Sequence, residues 1–211
     1  MKITKIEPYG GKSTFFKLYA DGEYQISLPA EIIKRFKLKE GVEIDTNELS
    51  ELSSAALVRR ARERLLYSLD RRLHSEKELR QKLRQDYPPH IIDLAIDELA
   101  GLGLVDDKAF AKAFAEQRLR VNKKGPYAIL QELYQKGVDH QTAKEVIDEL
   151  FAEGDGQLEA ARAVSSKYLK NIDTPQGKQR LYAALARRGF NYSVIKQVMR
   201  EACDNLEEFE E

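Results

Sequence analysis

Four apolar residues at helical spacing occur three times in this chain, about fifty residues apart. Ile92, Ala95, Ile96 and Leu99 form the first set, Ala143, Val146, Ile147 and Leu150 the second, and Ile195, Val198, Met199 and Ala202 the third. Each occupies i, i+3, i+4 and i+7, the positions that share one buried helix face. The 52-residue offset between the second and third sets also aligns Gly125 with Gly177, Ile129 with Leu181 and Leu133 with Leu185. Lys136-Gly137-Val138-Asp139 then matches Arg188-Gly189-Phe190-Asn191. A unit of this length holds three helices, longer than the repeats of about 33–34 residues that hold two. Stacked units bury a continuous core between neighbours, and such arrays usually bind partners rather than catalyse.

Punctuation sets the helix limits. Asp45 with Glu48 has the capping-box spacing and opens a long helix to about Arg72; Ser75 with Glu78 repeats the signature. Tyr87-Pro88-Pro89 stops the second helix, Gly101 and Gly103 end the third, and Asp106 caps the next. Gly125-Pro126 opens a helix that Gly137 terminates, and helices over 157–170, 175–188 and 191–203 repeat the scheme.

The first 45 residues have a different texture. Phe16, Leu18 and Ala20 alternate with polar neighbours, as do Tyr24, Ile26 and Leu28, and Asp21-Gly22 between them is a strong hairpin signal. Ile3 to Ile6 supplies a third strand, Pro29 opens a short helix to Phe36, and Val42 to Ile44 a last strand. The fold class expected is mainly α: a tandem array of three three-helix repeats, elongated and curved, with a small N-terminal β-rich module. The boundaries read as 1–45 for the β-rich module, 46–104, 105–153 and 154–203 for the repeats, and 204–211 for an acidic tail.

Charge is balanced, 35 Lys and Arg against 35 Asp and Glu, but unevenly spread. Residues 59–84 hold ten basic side chains and four acids, whereas residues 201–211 hold six acids and no Lys or Arg. Such polarity steers a protein toward a polyanion or an acidic partner surface. The candidate contact residues are Arg71 and Arg72, then Lys77, Arg80 and Arg84 at i, i+3, i+7, with Arg118, Lys123 and Lys124, and Arg187 and Arg188, at later helix ends. Exposed aromatics look scarce in the repeat region, which argues against stacking of single-stranded bases.

No catalytic constellation stands out. His74, His90 and His140 lack ligand spacing with any other His, Cys or carboxylate, so no metal and no cofactor is expected. Gly10-Gly11-Lys12-Ser13 lacks phosphate-loop spacing and reads as a turn between strands. Asp106-Asp107 reads as helix capping rather than an acid–base pair. Lone Cys203 reads as a small buried hydrophobe, and the chain has neither an apolar run of signal-peptide length nor eighteen consecutive apolar residues. The expectation is a soluble, cytoplasmic, non-enzymatic protein.

Ser75-x-x-Glu78-Leu79-x-x-Lys82-Leu83, followed by Leu99-x-x-Leu102-Gly103-Leu104-Val105-Asp106-Asp107-x-x-Phe110-Ala111, resembles the central signature of RecX regulatory proteins. Arg118, Gly125, Leu130, Glu132-Leu133 and Lys136-Gly137-Val138 continue the likeness, as does Tyr182-x-x-Leu185-x-Arg187-Arg188-Gly189-Phe190. The similarity covers roughly residues 55–203. It implies a bacterial, cytoplasmic protein that binds the RecA recombinase and the RecA–DNA filament and inhibits ATP hydrolysis, strand exchange and co-protease activity. The chain departs from the family in its neutral net charge, which points to weak binding of free DNA, and in turning through Tyr87-Pro88-Pro89 instead of a Gly. A monomer is expected, with sequence-independent DNA binding as the alternative function.

Overall fold

The computed structural model describes residues 1–10, 14–152 and 155–207. The Gly11–Ser13 part of the expected turn, Gly154 and the last four residues lie outside the described residues. The chain divides into two compact units, one of residues 1–72 with 79–104, the other of residues 73–78 with 105–211.

In the first unit, β1 (Ile3–Pro8), β2 (Phe15–Ala20) and β3 (Glu23–Pro29) form an antiparallel sheet in the order β1-β2-β3. Asp21 and Gly22 turn the β2–β3 hairpin with φ of 51° and 84°, the double left-handed geometry that matches strand twist. The Asp21 carboxylate also accepts from the Lys2 backbone N–H at 2.8 Å. Helix α1 (Ala30–Arg35) follows, starting after Pro29. The expected strand at Val42–Ile44 is instead a single bridge between Lys2 and Glu43. It has no room to lengthen, because Asp45 already caps α2 (Thr46–Leu69).

Asp45 and Glu48 form the reciprocal capping box, both hydrogen bonds 2.8 Å long. Helix α2 ends at Leu69, short of Arg72. Its Leu52 and Ala56 are buried with Ile3, Leu18, Leu28, Ile32, Leu38 and Ile44 in one cluster. Residue 45 therefore marks a change of period and not a break in the core. Helix α3 (Glu76–Leu83) buries Leu79 and Leu83, and α4 (Pro89–Gly101) buries the whole first apolar quartet.

In the second unit, α5 (Asp107–Arg120), α6 (Pro126–Lys136) and α7 (His140–Ala152) enclose one core. Helices α8 (Gly156–Ser165), α9 (Pro175–Arg187) and α10 (Tyr192–Glu207) enclose the next, and Leu119 packs against both. Helix α8 stops at Ser165, short of the expected 170. The Ser165 and Ser166 hydroxyls donate to the Arg162 and Ala163 carbonyls at 2.8 and 3.0 Å, a local bonding that competes with the helix ladder. A 3-10 turn, Leu169–Asn171, then carries Ile172 into the core. Helix α10 runs on to Glu207, past the expected end at 203, because no Gly or Pro interrupts it. Cys203 is half-buried against the last core rather than fully enclosed.

Within the second unit, helix starts and helix ends meet. The N-terminus of α6 sits on the turn that ends α9: the Gly125 N–H donates to the Arg188 carbonyl at 2.7 Å and the Tyr127 N–H to the Gly189 carbonyl at 3.1 Å. Unpaired amides at one helix start thus meet carbonyls at another helix end. One repeat earlier, the C-terminal turn of α6 receives the residues that open α3. The Ser75 hydroxyl donates to the Lys136 carbonyl at 2.7 Å, and Lys77 Nζ donates to the Gln135 carbonyl at 3.0 Å. Asp106 caps α5 through the Lys108 and Ala109 amides, whereas Asp107 accepts from the Glu76 N–H at 2.8 Å and so caps α3.

The α6–α9 joint tolerates no side chain. A Cβ on Gly189, whose φ is +76°, would lie 2.2 Å from the Ala128 N, and one on Gly125 would lie 2.4 Å from the Gly189 carbonyl oxygen. Gly189→Ala should lower stability by about 3 kcal/mol or more, strain and backbone clash together. Gly103→Ala shares the positive φ but meets nothing within 4 Å, and should cost only the strain, about 1–2 kcal/mol. Thermal and urea unfolding check this ordering; equal losses would contradict it.

A second expectation concerns acid. Arg162 bridges α8 to α10 through a bidentate pair with Glu201, at 2.8 and 2.7 Å. The Arg162 hydrogen bond, offset in part by burial and aided by Gln197, lowers the Glu201 pKa from 4.5 to about 2. A carboxylate with a depressed pKa stabilises the fold fully above its unfolded value and loses that contribution as pH falls through the folded one. Glu201→Gln should therefore melt below the parent protein at neutral pH, with the gap closing between pH 4.5 and about 2. A gap independent of pH would contradict the pairing.

Candidate functional site

Folding redistributes the charge that the sequence places in one run. Of the basic residues in 59–84, Arg59 pairs with Glu31 and Glu63, Arg62 with Glu98, Arg64 with Asp86 and Arg80 with Asp93. Four of those five acids lie outside the run, so the excess positive charge of the linear count is largely met within the first unit. Arg71, Arg72 and Arg84 are exposed. Arg71 stacks 4.8 Å from the Tyr67 ring centroid and donates to its hydroxyl at 3.0 Å.

Lys77, on the same sequence stripe as Arg80 and Arg84, has a different task. Its methylene stem packs against Gly137, where a Cβ would come within 2.6 Å, while its ammonium bonds the Gln135 carbonyl. Lys77 is a joint residue of the second unit.

The second unit brings five of the expected residues to one place. Arg118 at the end of α5 donates through Nε to Glu132 at 2.6 Å, and Lys124 bonds the other oxygen of the same carboxylate. Arg118 also lies 4.4 Å from the Phe114 ring centroid and reaches the Asn122 side chain at 3.1 Å. Arg188 comes from the end of α9 and donates to the Asn122 carbonyl at 2.6 Å and, more weakly, to that of Lys123 at 3.5 Å. Arg187, the neighbouring residue, is exposed. Arg118 and Arg188 thus reach the loop between α5 and α6 from two helices, Lys124 of that loop shares Glu132 with Arg118, and Lys123 and Arg187 are the chain neighbours of Lys124 and Arg188. Tyr127, whose ring is exposed, joins this region by its backbone bond to Gly189.

Glu132 is the residue that sequence reasoning undervalued. Burial disfavours its charge, but the hydrogen bonds from Lys124 and Arg118 outweigh that cost and hold the carboxyl below its ordinary range. One carboxylate therefore fixes two cations in place and leaves the cluster net positive. Its place on α6, fourteen residues after Arg118, carries no local signal.

The expected scarcity of exposed aromatics does not hold. Tyr67, Tyr127, Tyr182 and Tyr192 are all exposed, because each stands off the apolar stripe of its helix. Among the described residues no three His, Cys, Asp or Glu side chains converge as metal ligands, and no helix is long and apolar enough to cross a membrane. The arrangement suits recognition of carboxylates or phosphates by fixed cations next to an aromatic face.

Comparison with known proteins gives the array a family. Models of the first, second and third three-helix domains of RecX match residues 61–99, 106–147 and 155–199. The regulatory protein RecX of Bacillus velezensis is 32% identical over 203 residues, covering 94% of this chain and 76% of the relative. That of Clostridioides difficile is 30% identical over 211 residues, covering 99% and 98%. A crystal structure of regulatory protein RecX superposes with a TM-score of 0.78 at 26% identity, over 93% of this chain and 98% of that one. RecX from Lactobacillus salivarius shares the fold, with a TM-score of 0.63 over 70% of this chain and 97% of its own. Three tandem domain matches and near-complete coverage at this identity agree with the repeat joints seen here, and the chain belongs to the RecX family of regulatory proteins.

Proposed function

We propose that this protein binds the RecA recombinase and the RecA–DNA filament, and inhibits ATP hydrolysis, strand exchange and co-protease activity without being an enzyme itself. Its place of action would then be the cytoplasm, where RecA assembles on DNA. The observation that carries this reading is the convergence of Arg118, Lys123, Lys124 and Arg188, with Arg187, on one loop of a RecX-family array. Cations preset by Glu132 and by the Asn122 carbonyl meet an acidic surface with little ordering cost. An array of repeats also touches successive filament protomers at once, so weak contacts combine through effective concentration.

A second reading, sequence-independent binding to DNA itself, gains from the exposed tyrosines, one of which adjoins an arginine. Base stacking on Tyr67 beside Arg71 would need no RecA.

Titration into the single-strand-dependent ATPase of the cognate RecA separates the two. Substoichiometric protein should suppress hydrolysis, and no inhibition at equimolar protein would contradict the proposal. A triple variant, Arg71→Ala, Arg84→Ala and Arg187→Ala, removes exposed cations and leaves both repeat joints intact. It should weaken inhibition while changing the melting temperature little. If these side chains meet phosphates, the log–log salt slope should become shallower by about 2 on single strands. If they meet RecA acids, the slope should change less and naked DNA should bind poorly in either protein.

A further inference from the structure

The N-terminal sheet and α2 enclose a cleft of about 570 Å³ that the RecA reading leaves unused. Tyr9, Phe15 and Tyr24 line one side, and Ser53, Leu57 and Arg60 of α2 the other. Both tyrosines are largely exposed, at 56% and 54%, although the hairpin offers a buried face to Leu18, Ala20 and Leu28. Lys17 Nζ stands 5.0 Å from the Tyr9 ring centroid and the Arg60 guanidinium 5.7 Å from that of Phe15. Tyr24 meets Tyr19 edge-on at 5.9 Å, which fixes the ring without covering it.

Charge selects the occupant. Among the described residues, Arg60 is the one formally charged side chain lining the cleft, and no carboxylate lines it. Glu7 stands opposite Lys17 in the strand register, but Lys5 at 2.5 Å and the Tyr19 hydroxyl at 2.9 Å already engage it. Aromatic rings, two of the three carrying a cation, suit a ligand that has a flat π-face and a negative charge in each unit. A free nucleotide site usually gathers backbone amides or several cations around one phosphate group. Here the two cations stand on different rings and do not converge on one phosphate group. An acidic peptide would use the cations but make no use of the exposed rings of Tyr9 and Tyr24.

From this geometry we infer that the cleft between the N-terminal sheet and α2 binds single-stranded nucleic acid, stacking bases on Tyr9 and Tyr24 and drawing phosphates to Lys17 and Arg60. This assignment is independent of the RecA proposal and of the basic cluster in the second unit. It gives the β-rich module a task that the helical repeats do not perform, holding a strand while the repeats meet their partner.

Fluorescence anisotropy of a labelled oligothymidylate with the full chain at low salt tests it. Tyr9→Ala with Tyr24→Ala should weaken binding about tenfold or more, the loss expected when a stacked base is released. Lys17→Ala with Arg60→Ala should remove the part of the salt slope due to two phosphates, about 1.4 in log–log terms. The tyrosines are exposed, so melting temperatures should stay close to the parent value, and the charge variant supplies an independent reading if they do not. Thymidine monophosphate should compete poorly and a polyglutamate peptide should not compete. No binding by the parent protein, or unchanged binding by both double variants, would overturn the inference. Competition by the monophosphate at the strand's own nucleotide concentration would overturn it in favour of a free-nucleotide site, and displacement by polyglutamate in favour of an acidic peptide. RecA ATPase inhibition by the same variants reads the other proposal separately, since inhibition retained with strand binding lost leaves that proposal standing.

Discussion

The seating of one helix start on the end of the equivalent helix in the next repeat is the contact on which the array depends. A helix leaves amides unpaired at its beginning and carbonyls unpaired at its end, and burying either without a partner is costly. The α6–α9 joint satisfies both at once through Gly125, Tyr127, Arg188 and Gly189. Only a residue without Cβ permits that approach, which explains why glycine ends α9 and opens α6. The α3–α6 joint reaches the same end through side chains, with Ser75, Lys77 and Asp107 in place of backbone groups. Apolar stripes make the helices; within the second unit the α6–α9 joint sets how the third repeat follows the second.

The joints also decide which charges remain for a partner. Lys77 and Arg188 spend hydrogen bonds on carbonyls of a neighbouring repeat, and Arg118 and Lys124 share Glu132. In the first unit, acids brought in by α1 and α4 and by the turn after α3 meet Arg59, Arg62, Arg64 and Arg80. Exposed pairs of this kind contribute little stability, about 0–1 kcal/mol each. Their larger effect is to shape the surface, neutralising much of the basic run while Arg71, Arg72 and Arg84 stay exposed.

Much of the fold was legible because it rests on local rules. The quartets, the Asp45–Glu48 box, the Asp21-Gly22 turn and the Gly137 and Gly189 terminators each act within a few residues of their own position. What the sequence concealed depends on distance along the chain. Asp107 caps a helix that begins thirty-one residues earlier, and Arg188 bonds a carbonyl sixty-six residues away. A window count of charge cannot include Glu31 or Glu98, so the basic run looked more positive than the folded surface is. The strand expected at Val42–Ile44 failed for a local reason, the cap at Asp45 following too soon. The exposed tyrosines escaped notice because a residue off the apolar stripe is identified only once the stripe's partner helix is known. The grouping of Arg118, Lys123, Lys124, Arg187 and Arg188 needed two repeats to be brought together, although each lies at a helix end visible in the sequence.

Direct imaging of RecA–single-strand filaments with the protein bound, by electron cryomicroscopy, tests the central claim most directly. The account predicts density for the helical repeats seated along the filament groove, with the loop between α5 and α6 and the end of α9 against RecA acidic side chains or strand phosphates. Filaments left bare at saturating protein, or repeats bound with that loop facing solvent, would contradict it.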